Sequence, residues 1–330
     1  VDPAELTGTV WRTVRSAAVG EFGAPVPARV VVERPRPGGR GDYATNAALQ
    51  LARAAGRDPL DVAAFLRERL AAQPGIADVT VSGPGFLNIT LRASGDPVEA
   101  ALAGGGRFGS GTSLRGVSCH LVADGHLRAA VVAGVLRRLL AAAGASLADA
   151  GHGEAVRVRA VPPVDGTGPY PCDAVRWAFL RTPAGQRPRL GPELLLRRES
   201  NPLFRVQYAH SRTAALARAG ADLGLGGPPA APPAGAVRHT RTDGALRAAI
   251  GELPAVVETA ARRRAPDRLA RHLDVLAGAF LGAEAAHPAL PGGDEEPTAG
   301  HRARLRQAAA AGVALRNGLG LLGIRAPEHL

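Results

Sequence analysis

Glu199–Arg212 reads ESNPLFRVQYAHSR, and it lies near the start of the part of the chain whose pattern decides the architecture. From residue 193 onward apolar residues recur at helical spacing. They do so over Glu193–Gly220, Gly244–Glu252, Pro254–Arg264, Pro266–Ala285 and His301–Gly323. Gly224–Gly235 (GLGGPPAAPPAG) and His287–Gly300 (HPALPGGDEEPTAG) interrupt that pattern, and their Pro and Gly content makes them loops. An all-α bundle follows for residues 191–330. Within the quoted stretch, Tyr208 and Arg212 stand at i, i+4 on one helix face. An aromatic flanked by an arginine suits stacking on an unstacked base. Gln207 and His210 read as buried, hydrogen-bonded groups.

Toward the N-terminus the pattern is mixed. Glu5–Phe22 carries Leu6, Val10, Val14 and Ala17 at helical spacing. Arg29–Glu33 (RVVVE) is a short β-branched strand, and Arg34–Gly41 (RPRPGGRG) a loop. Tyr43–Gly56 is Ala/Leu-rich and reads as a helix closed by Gly56. Pro59–Ala72 restarts one, with Asp58 as N-cap and Pro59 in the first turn. Ile76–Ser82 and Phe86–Arg92 are strands about a Gly83-Pro84-Gly85 turn. This order predicts a two-layer α+β domain over residues 1–95. Pro97–Ala103 is a short helix, and Gly104–Gly111 (GGGRFGSG) reads as a linker. The middle, 96–190, supplies strands at Val117–Val122 and Ala155–Val161 and helices at Leu127–Ala143 and Asp173–Leu180. These pieces suit a small parallel sheet but are too few to close a doubly wound domain.

The composition narrows the chemistry. The chain has 330 residues, a formal charge of +11 and no lysine, so every basic side chain other than histidine is arginine. Ala, Gly, Pro and Arg share GC-rich codons, which accounts for the choice of Arg over Lys. The excess of base over acid favours a polyanion, since Arg forks match phosphate oxygens. The absence of lysine excludes a P-loop, a protein-kinase strand lysine and Schiff-base chemistry. Cys119 and Cys172 are too few to staple the fold. Cys119-His120, His126 and His152 lack structural-zinc spacing, so neither a metal nor a cofactor is expected. No apolar run is long enough to span a bilayer. Charges spread through Val1–Val19 do not fit a signal peptide, and a soluble cytoplasmic protein is the expectation.

Three stretches resemble arginyl-tRNA synthetases, in the same order. One pairs VERPRPGGRGDYATNAALQLARAAGRDP with GPGFLNITL (Gly83–Leu91), like the family's N-terminal tRNA-elbow domain. ESNPLFRVQYAHSR resembles the first helix of its DALR-type anticodon-binding domain. LRNGLGLLGIRAPEHL (Leu315–Leu330) resembles its C-terminal helix and tail. The resemblance implies an α+β N-terminal domain (1–95), a small α/β remnant of a Rossmann-type catalytic domain (96–190) and an all-α anticodon-binding bundle (191–330). It also implies a degenerate ATP signature: Ala123 stands for the first histidine of the family's His-x-Gly-His, followed by Asp124, Gly125 and His126. The expectation from this is a non-catalytic, tRNA-binding relative of the synthetase, with a protein-interaction or regulatory module as the alternative.

The resemblance also implies where tRNA contacts would fall. At the elbow side they are Tyr43, Asn46, Gln50, Phe86 and Asn88. Phe86, Asn88 and Thr90 alternate along one strand face, and Asn88 offers donor and acceptor to a splayed base; equally, Phe86 serves as core and Asn88 caps the turn. Tyr43, Asn46 and Gln50 share a helix face, either packing under the strand or touching RNA. On the anticodon side stand Tyr208, Arg212 and the strip Arg262, Arg263, Arg264, Arg268 and Arg271, suited to phosphates or simply a solvated face. Leu281, Gly282, Ala283 and Glu284 stand where the family carries an aromatic pair that includes one stacking on anticodon bases. The partner expected is tRNA, possibly arginine tRNA, with a protein partner as the other possibility.

Overall fold

The computed structural model describes residues 3–27, 30–33, 41–73, 75–91, 95–148, 152–158, 167–225 and 241–330. Arg29, the loop at 34–40, Arg92, residues 159–161 of the expected strand and 226–235 of the expected loop lie outside the described residues. The chain divides into two compact units, 1–96 and 97–330.

The first unit packs three helices on an antiparallel sheet. The helices are α1 (Pro3–Gly20), α2 (Ala47–Ala55) and α3 (Pro59–Ala71). The sheet runs β1-β2-β4-β3, with β1 at Val32–Glu33, β2 at Tyr43–Thr45, β3 at Ile76–Ser82 and β4 at Phe86–Leu91. Leu6, Val10 and Val14 on α1, Leu51 on α2, Leu66 on α3, and Leu87 and Ile89 on β4 are fully buried in one core. Asp58 caps α3 through Leu60 N–H at 2.7 Å, and Gly56 ends α2 in the left-handed region. The helix expected from Tyr43 begins only at Ala47. Tyr43–Thr45 instead pairs with Ile89–Leu87 of β4. Gly41 explains the difference, because at φ +78° its backbone passes so close to β4 that a Cβ would lie 3.0 Å from the Ile89 carbonyl oxygen. Only a residue without a side chain lets the chain swing onto the sheet there. Asp42 then accepts from Leu91 N–H at 2.8 Å and fixes the register.

The second unit joins a parallel sheet and a helical bundle in one core. After α4 (Pro97–Gly104), the chain runs through β5 (Ser118–Ala123), α5 (Leu127–Ala142), β6 (Ser146–Leu147), β7 (Glu154–Val158) and α6 (Cys172–Arg181). Strand order is β6-β5-β7, all parallel. The bundle comprises α7 (Pro202–Asp222), α8 (Arg241–Arg262), α9 (Asp267–Ala286) and α10 (Ala299–Leu322).

Three expectations change here. Gly104–Gly111 is a packed turn rather than a linker. Asn317 of α10 donates to the carbonyls of Gly105 and Phe108 at 2.7 and 2.9 Å, and Phe108 is buried. The helix expected from Glu193 is a single 3-10 turn over Pro192–Leu195, and α7 starts at Pro202. Asn201 dictates that start: its amide oxygen accepts from Leu203 N–H, while its nitrogen donates to the carbonyls of Leu194 and Leu196. The two helices expected on either side of Leu253 are one, α8, with Pro254 inside it. A proline there costs roughly 3 kcal/mol. Burial of Leu246, Ile250, Leu253 and Val257 along the same face offsets that.

Candidate nucleic-acid interface

On the first unit, β4 is central in the sheet, and alternation sends Leu87 and Ile89 into the core and Phe86 and Asn88 to the other face. Phe86 is 40% exposed, so it is available to a ligand. Asn88 is only 7% exposed, and its Nδ2 donates to Ser82 Oγ at 2.7 Å across the hairpin. One of its two amide N–H donors therefore serves the turn. Asn46 and Gln50 share a helical face as expected, but they bond each other: Gln50 Nε2 donates to Asn46 Oδ1 at 3.0 Å. Tyr43, being on β2, packs half-buried against the core rather than on that face.

In the second unit, Ala123 ends β5, and Asp124, Gly125 and His126 form the turn to α5; all four are exposed. Asp124 N–H bonds the Val158 carbonyl at the end of β7. His126 is the N-cap of α5 without a side-chain capping bond, and a Cβ on Gly125 would meet open space. In the order β6-β5-β7 the central strand comes first in sequence, so this turn sits at the carboxyl end of the sheet beside a topological switch point. Open parallel sheets take their ligands at such a place.

The Gln207–Arg212 segment lies on α7 and does two jobs. Gln207 Nε2 donates to the Arg325 carbonyl at 3.1 Å, His210 Nδ1 meets the Pro327 carbonyl at 2.8 Å, and Ser211 Oγ donates to the Glu328 carbonyl at 3.2 Å. The chain's last residues are thus laid along α7. Tyr208 points elsewhere: it is 42% exposed and stacks on Phe204, with centroids 5.8 Å apart and planes 14° from parallel. Arg212 does not flank it freely, for it is held by Glu284 at 2.9 Å, whose other oxygen accepts from Ala289 N–H. The aromatic platform is therefore Phe204–Tyr208, with Tyr208 exposed and Phe204 half-buried. Phe204 was the residue sequence reasoning missed, although its i−4 spacing from Tyr208 was the signal.

The five arginines expected as a strip span a turn between two helices. Arg262 ends α8, Arg263 and Arg264 lie in the turn, and Arg268 and Arg271 lie on α9. Arg262 pairs with Glu258 at 2.7 Å, Arg264 with Glu154 at 2.5 Å and Arg271 with Asp267 at 2.6 Å. The Arg263 and Arg268 side chains have no acidic partner among the described residues and are exposed. A phosphate chain would meet these two first.

Comparisons with known proteins bear on both units. Residues 9–91 match the family described as Arginyl tRNA synthetase N terminal domain, and residues 206–330 the DALR anticodon binding domain. The chain is similar to an arginine–tRNA ligase of Frankia alni, at 25% identity over 99% of this chain and 100% of the relative. That alignment has 551 positions against the 330 residues here, so it is carried across gaps. Arginine–tRNA ligases of Paenarthrobacter aurescens and Micrococcus luteus match locally, at 40% and 44% identity over 48% and 37% of this chain. Those matches span 28% and 24% of the relatives' own length. The fold is that of the arginyl-tRNA synthetases of Thermus thermophilus and Plasmodium falciparum. Their TM-scores are 0.69 and 0.68 at 14% and 8% identity, and each comparison covers 99% of this chain and 99% or more of the other. These findings overturn the expectation of a non-catalytic tRNA-binding protein, and with it the alternative of a regulatory module. The likeness runs through the whole chain, middle included, and the relatives are ligases.

Proposed function

We propose that this chain is an arginyl-tRNA synthetase relative, on the strength of its matches to the family's N-terminal and DALR domains, and that it acts as an arginine–tRNA ligase that grips tRNA through its helical unit. The observation that carries this reading is the similarity to a ligase along nearly the entire chain. The site geometry supports it in two ways. Phe204–Tyr208 offers a stacked aromatic pair, exposed at Tyr208, on which an anticodon-loop base can stack. Arg263 and Arg268 offer guanidinium groups, with no acidic partner among the described residues, to the adjoining phosphates. At the elbow side Phe86 is the exposed aromatic of the five residues considered, while Asn88 is buried with one of its amide N–H groups on Ser82.

The ligase reading puts the ATP-dependent step at the Ala123–His126 turn, at the carboxyl end of the parallel sheet. His126 at the start of α5 is the side chain there that can donate to a phosphate, and Asp124 beside it opposes one. The deciding experiment incubates the purified chain with ATP, radiolabelled arginine and bulk tRNA. Acid-precipitable arginyl-tRNA is expected, and its loss in His126→Ala. Absence of product from the unmodified chain would sink the ligase reading. A gel-shift titration with the same tRNA tests the binding part separately, and no shift beyond that of an equally basic control protein would sink that part.

A further inference from the structure

Behind α6 lies a cavity of about 750 Å³, within the range of small-ligand sites. Its wall is cationic: Arg181, Arg187, Arg189 and Arg271 line it, against one carboxylate, Glu193. Arg181 and Arg271 are partly neutralised by Asp274 and Asp267 at 3.3 and 2.6 Å. Arg187 and Arg189 have no acidic partner among the described residues. Trp177 also lines the cavity. It is 1% exposed, and its indole N–H finds no acceptor among the described residues.

The cavity wall is held in place from outside. Arg128 of α5, itself buried, donates to the carbonyls of Gln186, Thr182 and Pro183 at 2.7, 3.1 and 3.2 Å. All three residues line the cavity. Burial pulls the Arg128 guanidinium below its ordinary pKa, and the carbonyl oxygens take its charge in place of water. A buried cation spent on shaping a loop is a fixed feature of the fold, and the loop it shapes presents two further arginines to the cavity.

We propose that this cavity is a phosphate seat: it binds a phosphate-bearing polyanion, with Arg187 and Arg189 as the primary charge contacts, Arg181 and Arg271 as flanking ones, and Trp177 in its wall as a reporter. Guanidinium forks pair two N–H groups with two phosphate oxygens, which ammonium groups cannot do. The proposal does not depend on the chain being a ligase. The phosphate can come from an RNA backbone or from a free polyphosphate chain, and the test separates the two.

The chain has two tryptophans, so Trp11→Phe leaves Trp177 as the only indole and makes its emission a reporter of the cavity. Titration of that variant with tripolyphosphate, against sodium chloride of matched ionic strength, is expected to change emission saturably for tripolyphosphate alone. Adding Arg187→Ala with Arg189→Ala is expected to weaken binding about tenfold or more, with unchanged far-UV circular dichroism. Glu193→Gln is expected to tighten it. Calorimetry on the unmodified chain gives the same comparison without the tryptophan change. No saturable binding, or equal binding by the double arginine variant, overturns the proposal. If tRNA displaces tripolyphosphate, the seat is for RNA phosphodiester; if both bind together, it is for free polyphosphate. Either outcome upholds the phosphate seat, and tripolyphosphate binding stays measurable even if tRNA binds nowhere on this chain.

Discussion

Replacing Asn201 with alanine tests how the second unit is held together at the start of α7. Asn201 is buried, and one side chain makes three bonds: it accepts from Leu203 N–H at 3.1 Å and donates to Leu194 and Leu196 carbonyls at 3.0 and 2.9 Å. Loss of the cap alone costs ~1 kcal/mol. Each carbonyl left without its donor adds ~0.5–1.5 kcal/mol. The sum is roughly 2–4 kcal/mol, and with a urea m-value of ~3 kcal/mol/M the midpoint falls by about 1 M. Urea titration followed by Trp177 emission in the Trp11→Phe background reads this unit alone, because Trp177 lies in its core. Asn201→Ser keeps the capping oxygen and loses the two amide bonds, so it is expected between Ala and the unmodified chain. An Ala variant within ~0.5 kcal/mol of the unmodified chain would refute the view that Asn201 organises this junction. So would a Ser variant as stable as the unmodified chain.

Gly318→Ala drives a Cβ into Leu273 Cδ2 in the fully buried contact between α10 and α9; a loss of ~1–3 kcal/mol is expected by thermal melting. Tyr208→Ala removes the outer ring of the Phe204–Tyr208 pair and is expected to weaken tRNA binding by about tenfold, with the salt dependence unchanged. Arg263→Ala with Arg268→Ala is expected to weaken binding as well but through the salt-dependent part, lowering the slope of log K against log salt by ~2 in filter-binding titrations. Truncation after Ile324 removes the carbonyls held by Gln207, His210 and Ser211; hydrogen exchange is expected to quicken along α7, and the melting temperature to fall by several degrees.

The helical boundaries set by caps were readable from sequence: Asp58-Pro59 before α3, Gly56 after α2 and Gly323 after α10 all act on partners within four positions. The strand Tyr43–Thr45 was not readable. Its residues lead into an Ala/Leu run with helical spacing, and its partner on β4 lies more than forty residues on. Leu194–Leu196 misled in the same manner, since three consecutive leucines fit a helix until Asn201 draws the carbonyls of Leu194 and Leu196 to itself. At the candidate site the charge of each arginine was plain, but its partner was not. Arg212 and Glu284 stand 72 positions apart, and Arg264 and Glu154 110. A strip of five arginines became two exposed ones without acidic partners among the described residues, and the densest cationic wall was at Arg187 and Arg189, in a loop whose sequence carries no periodic signal.

The way α7 holds the end of the chain has a consequence for how that end tolerates change. Gln207, His210 and Ser211 meet the carbonyl oxygens of Arg325, Pro327 and Glu328, and no side chain of those three residues takes part in these bonds. Every amino acid supplies the same oxygen. Recognition here is of main-chain shape, so the letters at 327 and 328 can be rewritten with little loss while the three letters on α7 cannot. A mutational scan would score the tail as permissive and its receptor as strict, although the two halves make the same bonds.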